Sequence, residues 1–208
     1  GEGAYLWDSD GNRYLDLMSN YGVNILGHAH PAFTEAVQQQ VATLISCHQS
    51  FANDVRSEFL QKFKTILPDE LDSVFLSNSG TEAIEAALKF TWVATGKTKL
   101  VAAKRGYHGR TIGSLSATAE KKYREPFAGA LAQAEHVGYG DLEALDEAVD
   151  GDTAAIVLEP IQGEGGIHVA PPGYLSSVQE IARERGAQLI FDEIQTGFRA
   201  GAYFASQH

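Results

Sequence analysis

Apolar positions in the first third of the chain predict a hairpin followed by helices. Two aromatic and apolar runs flank Asp10-Gly11, a dipeptide typical of tight turns between paired strands. Pro31 suits the first turn of a helix, where a missing N–H costs nothing. The predicted elements of this part are a hairpin over 4–17, a loop over 19–30, and helices over 31–46 and 54–66.

From residue 73 onward, short β-prone apolar runs alternate with stretches of helical periodicity. Strands are predicted at 73–76, 99–103, 154–158 and 188–191, and helices at 81–95, 141–149 and 173–185. Because this alternation calls for crossover connections, it predicts an α/β fold with a mainly parallel sheet flanked by helices. We therefore expect two parts: an N-terminal segment of hairpin, loop and helix over 1–52, and a sheet-based domain over 53–208.

Charge and composition narrow the class of protein. The chain has 208 residues, 44% of them hydrophobic, and 27 acidic against 16 basic residues give a net charge of −11. This balance disfavours nucleic acid and membrane surfaces as partners. No apolar run is long enough for a transmembrane span. The single cysteine, Cys47, leaves no disulfide within the chain and no cysteine pair for a metal, so we expect a cytoplasmic protein without a metal site.

Polar motifs follow each predicted strand, at the edge where ligands bind in parallel sheets. The first is Ser79-Gly80-Thr81, at the start of a predicted helix. Backbone N–H groups without helical partners, hydroxyls and the positive end of the helix dipole together favour a phosphate there. The alternative is an ordinary capping box, with Ser79 as the cap and Glu82 three residues later.

The next two motifs are ambiguous by themselves. Tyr107 and His108 follow the second strand, where an aromatic side chain can stack on a planar ring, or can simply pack beside a loop histidine. Glu159 and Glu164 belong to a glycine-rich loop after the third strand, which can order a polar site or serve only as a turn.

The fourth motif begins with Asp192, at the end of an apolar strand. A buried carboxylate is costly unless it is paired. One productive partner is a protonated pyridine nitrogen, because a carboxylate there keeps the ring cationic and able to accept electrons. A magnesium site of a nucleotide enzyme is the alternative, although no Gly-Lys-Ser/Thr phosphate loop is present.

The order of the motifs resembles the class III aminotransferases of pyridoxal phosphate (PLP) fold type I. The motifs are Ser-Gly-Thr-Glu-Ala, Tyr-His-Gly-Arg-Thr, Glu-Pro-Ile-Gln-Gly-Glu-Gly-Gly and Asp-Glu-Ile-Gln-Thr-Gly, and the resemblance covers the whole chain. It implies that residues 53–208 form most of a PLP-binding large domain, and that 1–52 belong to the small domain. By resemblance, the cofactor contacts are Ser79, Gly80 and Thr81 (phosphate), Tyr107 and His108 (ring face), Asp192 (ring nitrogen), Gln195 (phenolic oxygen) and Glu159 (polar surround).

The resemblance also implies substrate contacts and a reaction. Tyr21 falls where ornithine-type members place a tyrosine near the substrate, and Glu164 resembles an acid that pairs with a substrate-reading arginine. None of the eight lysines matches the motif of the cofactor-bonding lysine, which is expected beyond His208. We expect a homodimeric enzyme that transfers an amino group from an ω-amino donor to 2-oxoglutarate, with little turnover by residues 1–208 alone. A semialdehyde aminomutase, suggested by Phe198-Arg199, and an inert PLP-binding fragment are the alternatives.

Overall fold

The computed structural model describes residues 1–207. Contacts within the chain define two units, unit 1 (Gly1–Asp72) and unit 2 (Ser73–His208). The boundary expected at residues 52 and 53 concerns the domains of a full-length family member, and it stays a prediction. Within the described residues, no helix is both long enough and apolar enough to cross a membrane.

Unit 1 contains the predicted hairpin and helices. Strands β1 (Tyr5–Trp7) and β2 (Arg13–Leu15) pair antiparallel, with Leu6 opposite Tyr14. The carboxylate of Asp8 holds the turn by accepting hydrogen bonds from the N–H groups of Asp10 and Asn12. The elements are β1 (Tyr5–Trp7), β2 (Arg13–Leu15), a single turn α1 (Ser19–Gly22), α2 (Pro31–Thr43) and α3 (Asp54–Lys64). Both long helices end two or three residues before their predicted ends.

Unit 2 is the predicted α/β domain. Its helices are α4 (Gly80–Thr95), α5 (Ile112–Ala117), α6 (Lys121–Arg124), α7 (Leu142–Ala148) and α8 (Tyr174–Arg185). Its strands are β3 (Lys99–Ala103), β4 (Ala134–Val137), β5 (Thr153–Leu158), β6 (Ile161–Gln162), β7 (His168–Val169) and β8 (Gln188–Phe191). The four long strands form a parallel sheet in the order β4-β3-β5-β8, and β6 pairs antiparallel with β7.

Alternate residues of the central strands face opposite sides of the sheet, and each side is covered. Val101 and Ile156 pack with residues of α7 and α8. Leu100 and Ala155 pack with residues of α4 on the other side. Every residue of β3 and β5 is buried, as expected for strands with helices on both faces. The two apolar clusters hold the carboxyl ends of the strands in place.

One strand prediction was wrong, and one strand of the parallel sheet was not predicted. Residues 73–76 form no strand among the described residues, and Phe75 and Leu76 are exposed. A β-prone run becomes a strand only where a neighbouring backbone pairs with it, and periodicity cannot report that neighbour. Conversely, β4 was missed because its sequence, Ala-Glu-His-Val, contains two polar residues. It is an edge strand, paired only with β3, so burial on both faces is not required of it.

Candidate functional site

A cavity of about 470 Å³ opens at the carboxyl end of the parallel sheet. It brings together most of the residues that the sequence predicted for the site. These are Gly80, Thr81, Tyr107, His108, Glu159, Glu164, Asp192 and Gln195. The chain reverses direction into loops or helices at this edge, so side chains from distant segments converge there.

Asp192 and His108 form a buried pair in this cavity. Asp192 directly follows β8, and its N–H donates to the Leu158 carbonyl, which extends the sheet pairing by one residue. The Nδ1 atom of His108 lies 2.8 Å from Oδ2 of Asp192, and both side chains are almost fully shielded from solvent. The other carboxylate oxygen accepts a hydrogen bond from the N–H of Ile194. The carboxylate is therefore held in one orientation by hydrogen bonds at both of its oxygens.

Glu159 orders the loops around the cavity. One of its carboxylate oxygens accepts from the N–H of Tyr107 at 3.1 Å, and the other from the N–H of Gly163 at 2.9 Å. Burial raises the pKa of Glu159, and the two backbone hydrogen bonds oppose that effect. In this structure Glu159 thus connects the loop after β3 to the loop after β5, and it positions the backbone of Tyr107.

The start of α4 has a cap close to the capping box that the sequence left open as an alternative, except that Glu82 bonds to the N–H of Asn78, one residue before the cap. The Ser79 hydroxyl accepts from the N–H of Glu82 at 3.3 Å, and Oε2 of Glu82 accepts from the N–H of Asn78 at 2.8 Å. Ser79 therefore caps the helix, and its contact with a phosphate stays a prediction. The N–H groups of Gly80 and Thr81 have no intrahelical acceptors, since they are the first two of the helix. An anion at this end of the cavity remains compatible with the cap.

A hydroxyl cluster next to this helix start was not predicted from the sequence. Oγ1 of Thr81 lies 2.9 Å from Oγ1 of Thr111 and 2.7 Å from Oγ of Ser114. Glu85 accepts from the Thr111 hydroxyl and from the N–H of Gly113. Thr111 lines the cavity, as do Gly109, Arg110 and Ile194. The sequence could have indicated Gly109, Arg110 and Thr111 as lining residues, because they directly follow the predicted Tyr107 and His108.

Glycines allow the close approach of these segments. A Cβ at Gly80 would lie 2.6 Å from the Ile194 side chain, and a Cβ at Gly163 would overlap the Gln195 amide. At Gly109, where φ is +128°, a Cβ would collide with the hydroxyls of Thr81 and Ser114. The walls of the cavity are therefore built from backbone that side chains would displace.

The remaining predicted residues have different positions. Nε2 of Gln195 donates to Oε1 of Glu164 at 3.2 Å, so these two residues form one wall. Tyr107 is half-buried, and its ring meets that of Tyr123 edge to face at 6.4 Å. Tyr21 belongs to unit 1, where it is exposed and has a left-handed backbone conformation with φ of 57°. Its substrate role stays a prediction.

No lysine lines the cavity within the described part of the chain. The most enclosed lysine, Lys99, begins β3, at the opposite end of the sheet, and pairs there with Asp150 and Glu135. Groups of three or more metal-ligating side chains are also absent from residues 1–207. The cavity thus offers an acid, an aromatic ring and unpaired N–H groups, but no amine nucleophile.

These features are shared with a known family. The family described as aminotransferase class-III matches residues 1–208, and the chain belongs to it. The chain is 46% identical to the acetylornithine aminotransferase of Methanopyrus kandleri, over 100% of this chain and 54% of that protein. It is 50% identical to the LysW-aminoadipate semialdehyde transaminase of Deinococcus radiodurans, over 100% of this chain and 49% of that protein.

The fold of this chain is similar to that of a solved structure. The ornithine aminotransferase of Toxoplasma gondii, a structure described with PLP at its active site, superposes with a TM-score of 0.91 at 35% identity. The superposition covers 100% of this chain and 51% of that one. The chain therefore spans about half the length of the relatives and the solved structure that it matches.

Proposed function

We propose that residues 1–208 provide most of the PLP-binding site of an aminotransferase that uses ω-amino donors. The observation that carries this proposal is the buried Asp192–His108 pair in a cavity that also contains the start of α4. A carboxylate enclosed in this way and aimed into a cavity is suited to a cationic ring nitrogen. When bound, PLP supplies an electron sink for a carbanion on the substrate.

The chain's own residues would bind and orient this cofactor. The N–H groups of Gly80 and Thr81 and the Thr81 hydroxyl would hold its phosphate, because the helix end is positive and lacks acceptors. Tyr107 would cover one face of the ring, and Gln195 would donate to the phenolic oxygen. Ser79 would act indirectly, by capping the helix whose N–H groups meet the phosphate. Gly80 and Gly109 line the cavity without side chains, and this leaves room for a flat ligand.

The proposed reaction moves an amino group from an ω-amino donor, such as acetylornithine or ornithine, to 2-oxoglutarate, producing a semialdehyde and glutamate. The names of relatives at 46% and 50% identity support this donor class. A lysine for proton transfer at the donor carbon is required. No lysine of residues 1–207 lines the cavity, and we propose that the rest of the full-length protein supplies this lysine. We further expect a cytoplasmic homodimer.

Reconstitution of the full-length protein with PLP tests the proposal. We expect the cofactor's visible absorbance on binding, and glutamate formation only when both an ω-amino donor and 2-oxoglutarate are supplied. Residues 1–208 alone serve as the control and should bind PLP weakly and show no turnover. Rearrangement of a semialdehyde without any 2-oxo acid would identify the aminomutase instead. Phosphate release from a nucleotide without PLP binding would contradict both functions.

A further inference from the structure

Three hydroxyl groups meet at the phosphate end of the proposed cofactor site. Oγ1 of Thr81 lies 2.9 Å from Oγ1 of Thr111 and 2.7 Å from Oγ of Ser114, and the latter two oxygens are 2.9 Å apart. Leu88 of α4 and Ala117 of α5 belong to one apolar cluster on the sheet, which holds the two helices beside each other. Each hydroxyl has a single hydrogen, so the contacts alone leave open which group donates to which. The direction of these hydrogen bonds decides what Thr81 can offer to a ligand.

Glu85 of α4 determines where the Thr111 hydrogen goes. Its Oε1 atom accepts from the Thr111 hydroxyl and from the N–H groups of Gly113 at 2.7 Å and Ser114 at 3.1 Å. Thr111 precedes α5 but makes no cap hydrogen bond with its own side chain, so Glu85 caps this helix from α4. A carboxylate oxygen only accepts, and bonds to a charged acceptor are roughly twice as strong as bonds between neutral groups. The Thr111 hydrogen is therefore committed to Glu85.

With this hydrogen committed, Thr111 does not donate to Thr81, and Ser114 remains as the donor. The contact between Ser114 and Thr81, at 2.7 Å, is the shortest of the three between the hydroxyls. The other acceptors for the Ser114 hydrogen lie farther away, Oγ1 of Thr111 at 2.9 Å and its carbonyl at 3.2 Å. The Thr81 hydrogen can then turn to the neutral Thr111 oxygen or into the cavity that Thr81 lines. A phosphate oxygen in the cavity would be the stronger acceptor, because it is charged.

Two glycines allow this close packing of the polar groups. A Cβ at Gly113 would overlap Oε2 of Glu85, and a Cβ at Gly109 would collide with the hydroxyls of Thr81 and Ser114. Ser114 is fully buried, so bulk water does not compete for its hydrogen. The arrangement therefore depends on contacts that residues 81–114 make with one another.

We propose that Ser114 is a positioning residue for the cofactor phosphate, because it donates to Thr81 and so directs the Thr81 hydrogen into the cavity. Glu85 enables this by taking the Thr111 hydrogen. Neither Ser114 nor Glu85 lines the cavity, so both act through Thr81. A hydroxyl that accepts one hydrogen bond becomes a better donor in the next, which strengthens its bond to the phosphate. The inference deepens the proposed function and rests on it, since it names what orients one phosphate contact of that same site.

Binding of pyridoxamine phosphate and of pyridoxamine to the full-length protein, freed of cofactor, tests this proposal. The two compounds share the ring, lack the aldehyde that reacts with a lysine, and differ only in the phosphate. The ratio of their affinities therefore isolates the contribution of the phosphate, whereas a general loosening of the fold would weaken both. We expect the unaltered protein to prefer the phosphorylated compound by more than about 100-fold in calorimetric titrations, since several donors meet the phosphate.

Variants assign part of this preference to the hydroxyl cluster. Ser114→Ala should lower it about fivefold and Thr81→Val about tenfold, the size of a charge-assisted hydrogen bond. Because Ser114 acts through Thr81, adding Ser114→Ala to Thr81→Val should cause no further loss. Thr111→Val should lower the preference by no more than about twofold, since the hydrogen that it removes does not reach Thr81. Ser116→Ala removes another buried hydroxyl of α5, one that donates within its own helix, and is the matched control.

The phosphorus NMR signal of the bound compound gives a second measurement. It should shift in Ser114→Ala and in Thr81→Val, and should keep its position in Ser116→Ala. If Ser114→Ala does not fold, Ser114→Cys takes its place in every comparison, because a thiol fills similar space and is a weaker donor.

Three results would overturn the proposal: an unchanged preference in Ser114→Ala, losses that add up in the double variant, or a loss in Thr111→Val as large as that in Ser114→Ala. Any of these, together with turnover of an ω-amino donor, would refute the role of Ser114 and leave the transaminase function standing. A full-length protein that binds neither compound and forms no glutamate would refute the proposed function, and this inference with it.

Discussion

Unit 1 and unit 2 differ in where their apolar side chains lie. None of residues 1–72, all of which the structure describes, is buried, and Leu17 and Ile45 expose 86% and 80% of their surfaces. In unit 2, apolar clusters cover both faces of a parallel sheet. A hairpin and two helices without a shared core leave their apolar faces open, whereas a sheet between helices encloses its own. All residues that line the candidate cofactor cavity belong to unit 2, the unit with a hydrophobic core.

Replacing Asp192 in unit 2 should have the largest effect on activity. In the full-length enzyme, Asp192→Asn removes the negative charge from the buried pair, and we expect kcat/KM to fall on the order of 100-fold or more. Tyr21→Phe in unit 1 would remove the hydroxyl of the predicted substrate contact, and it should raise KM for the donor about threefold and leave kcat nearly unchanged. Steady-state kinetics measure both. Similar losses of kcat in the two variants would contradict the division of roles.

Truncating matched isoleucines compares the packing of the two units. Ile156 is fully buried in β5, so Ile156→Ala should lower the free energy of unfolding by about 3 kcal/mol. Ile45→Ala in unit 1 should change it by less than about 0.5 kcal/mol, because the side chain is already exposed. Urea unfolding of the full-length protein provides both values. An equally large loss at Ile45 would show that other parts of the protein cover unit 1.

Alanine substitutions at two glycines with positive φ distinguish the effect of backbone strain from the effect of a collision between the added Cβ and its neighbours. Gly11→Ala and Gly109→Ala would each be strained by about 1 kcal/mol, because φ is +83° and +128°. A Cβ at Gly11 meets nothing within 4 Å, whereas one at Gly109 collides with the Thr81 and Ser114 hydroxyls. We expect Gly109→Ala to weaken PLP binding about tenfold, a loss of roughly 1.4 kcal/mol, and Gly11→Ala to leave it unchanged. Titration of each apoprotein with PLP measures the difference.

The smallest effects should come from two exposed carboxylates. The pKa of Asp150 is lowered from 3.8 to about 2, first by its hydrogen bond from Lys99. The pKa of Asp8 is lowered from 3.8 to about 2, first by its hydrogen bond from the Asn12 side chain. A depressed pKa stabilises the fold above the unfolded value, and this stability is lost as pH falls through the folded value.

Asp150→Asn and Asp8→Asn should therefore lower the urea midpoint at pH 7 by a small amount. The difference from the unaltered protein should stay constant down to about pH 4 and should shrink as the pH approaches 2. Urea midpoints over a series of pH values measure it in both units. A difference that is as large at pH 2 as at pH 7 would assign the effect to packing instead of charge.

The sequence was sufficient to predict those elements that depend on local residue patterns. Periodicity located β3, β5 and β8, and the turn signal at Asp10-Gly11 located the hairpin. Because ligand sites of parallel sheets lie after the strands, the sequence also indicated Tyr107, Glu159 and Asp192 before their convergence was visible. All three line the cavity.

Other features depend on partners that are distant in the sequence. Strand pairing decided that Ala134–Val137 forms β4 and that 73–76 stays outside the described strands. The pairing of His108 with Asp192 joins residues 84 positions apart, and the Thr81–Ser114 contact joins residues 33 apart. Secondary-structure propensity depends on neighbouring residues in the sequence. Strand pairing and the burial of side chains depend on which distant segments come together in the folded chain.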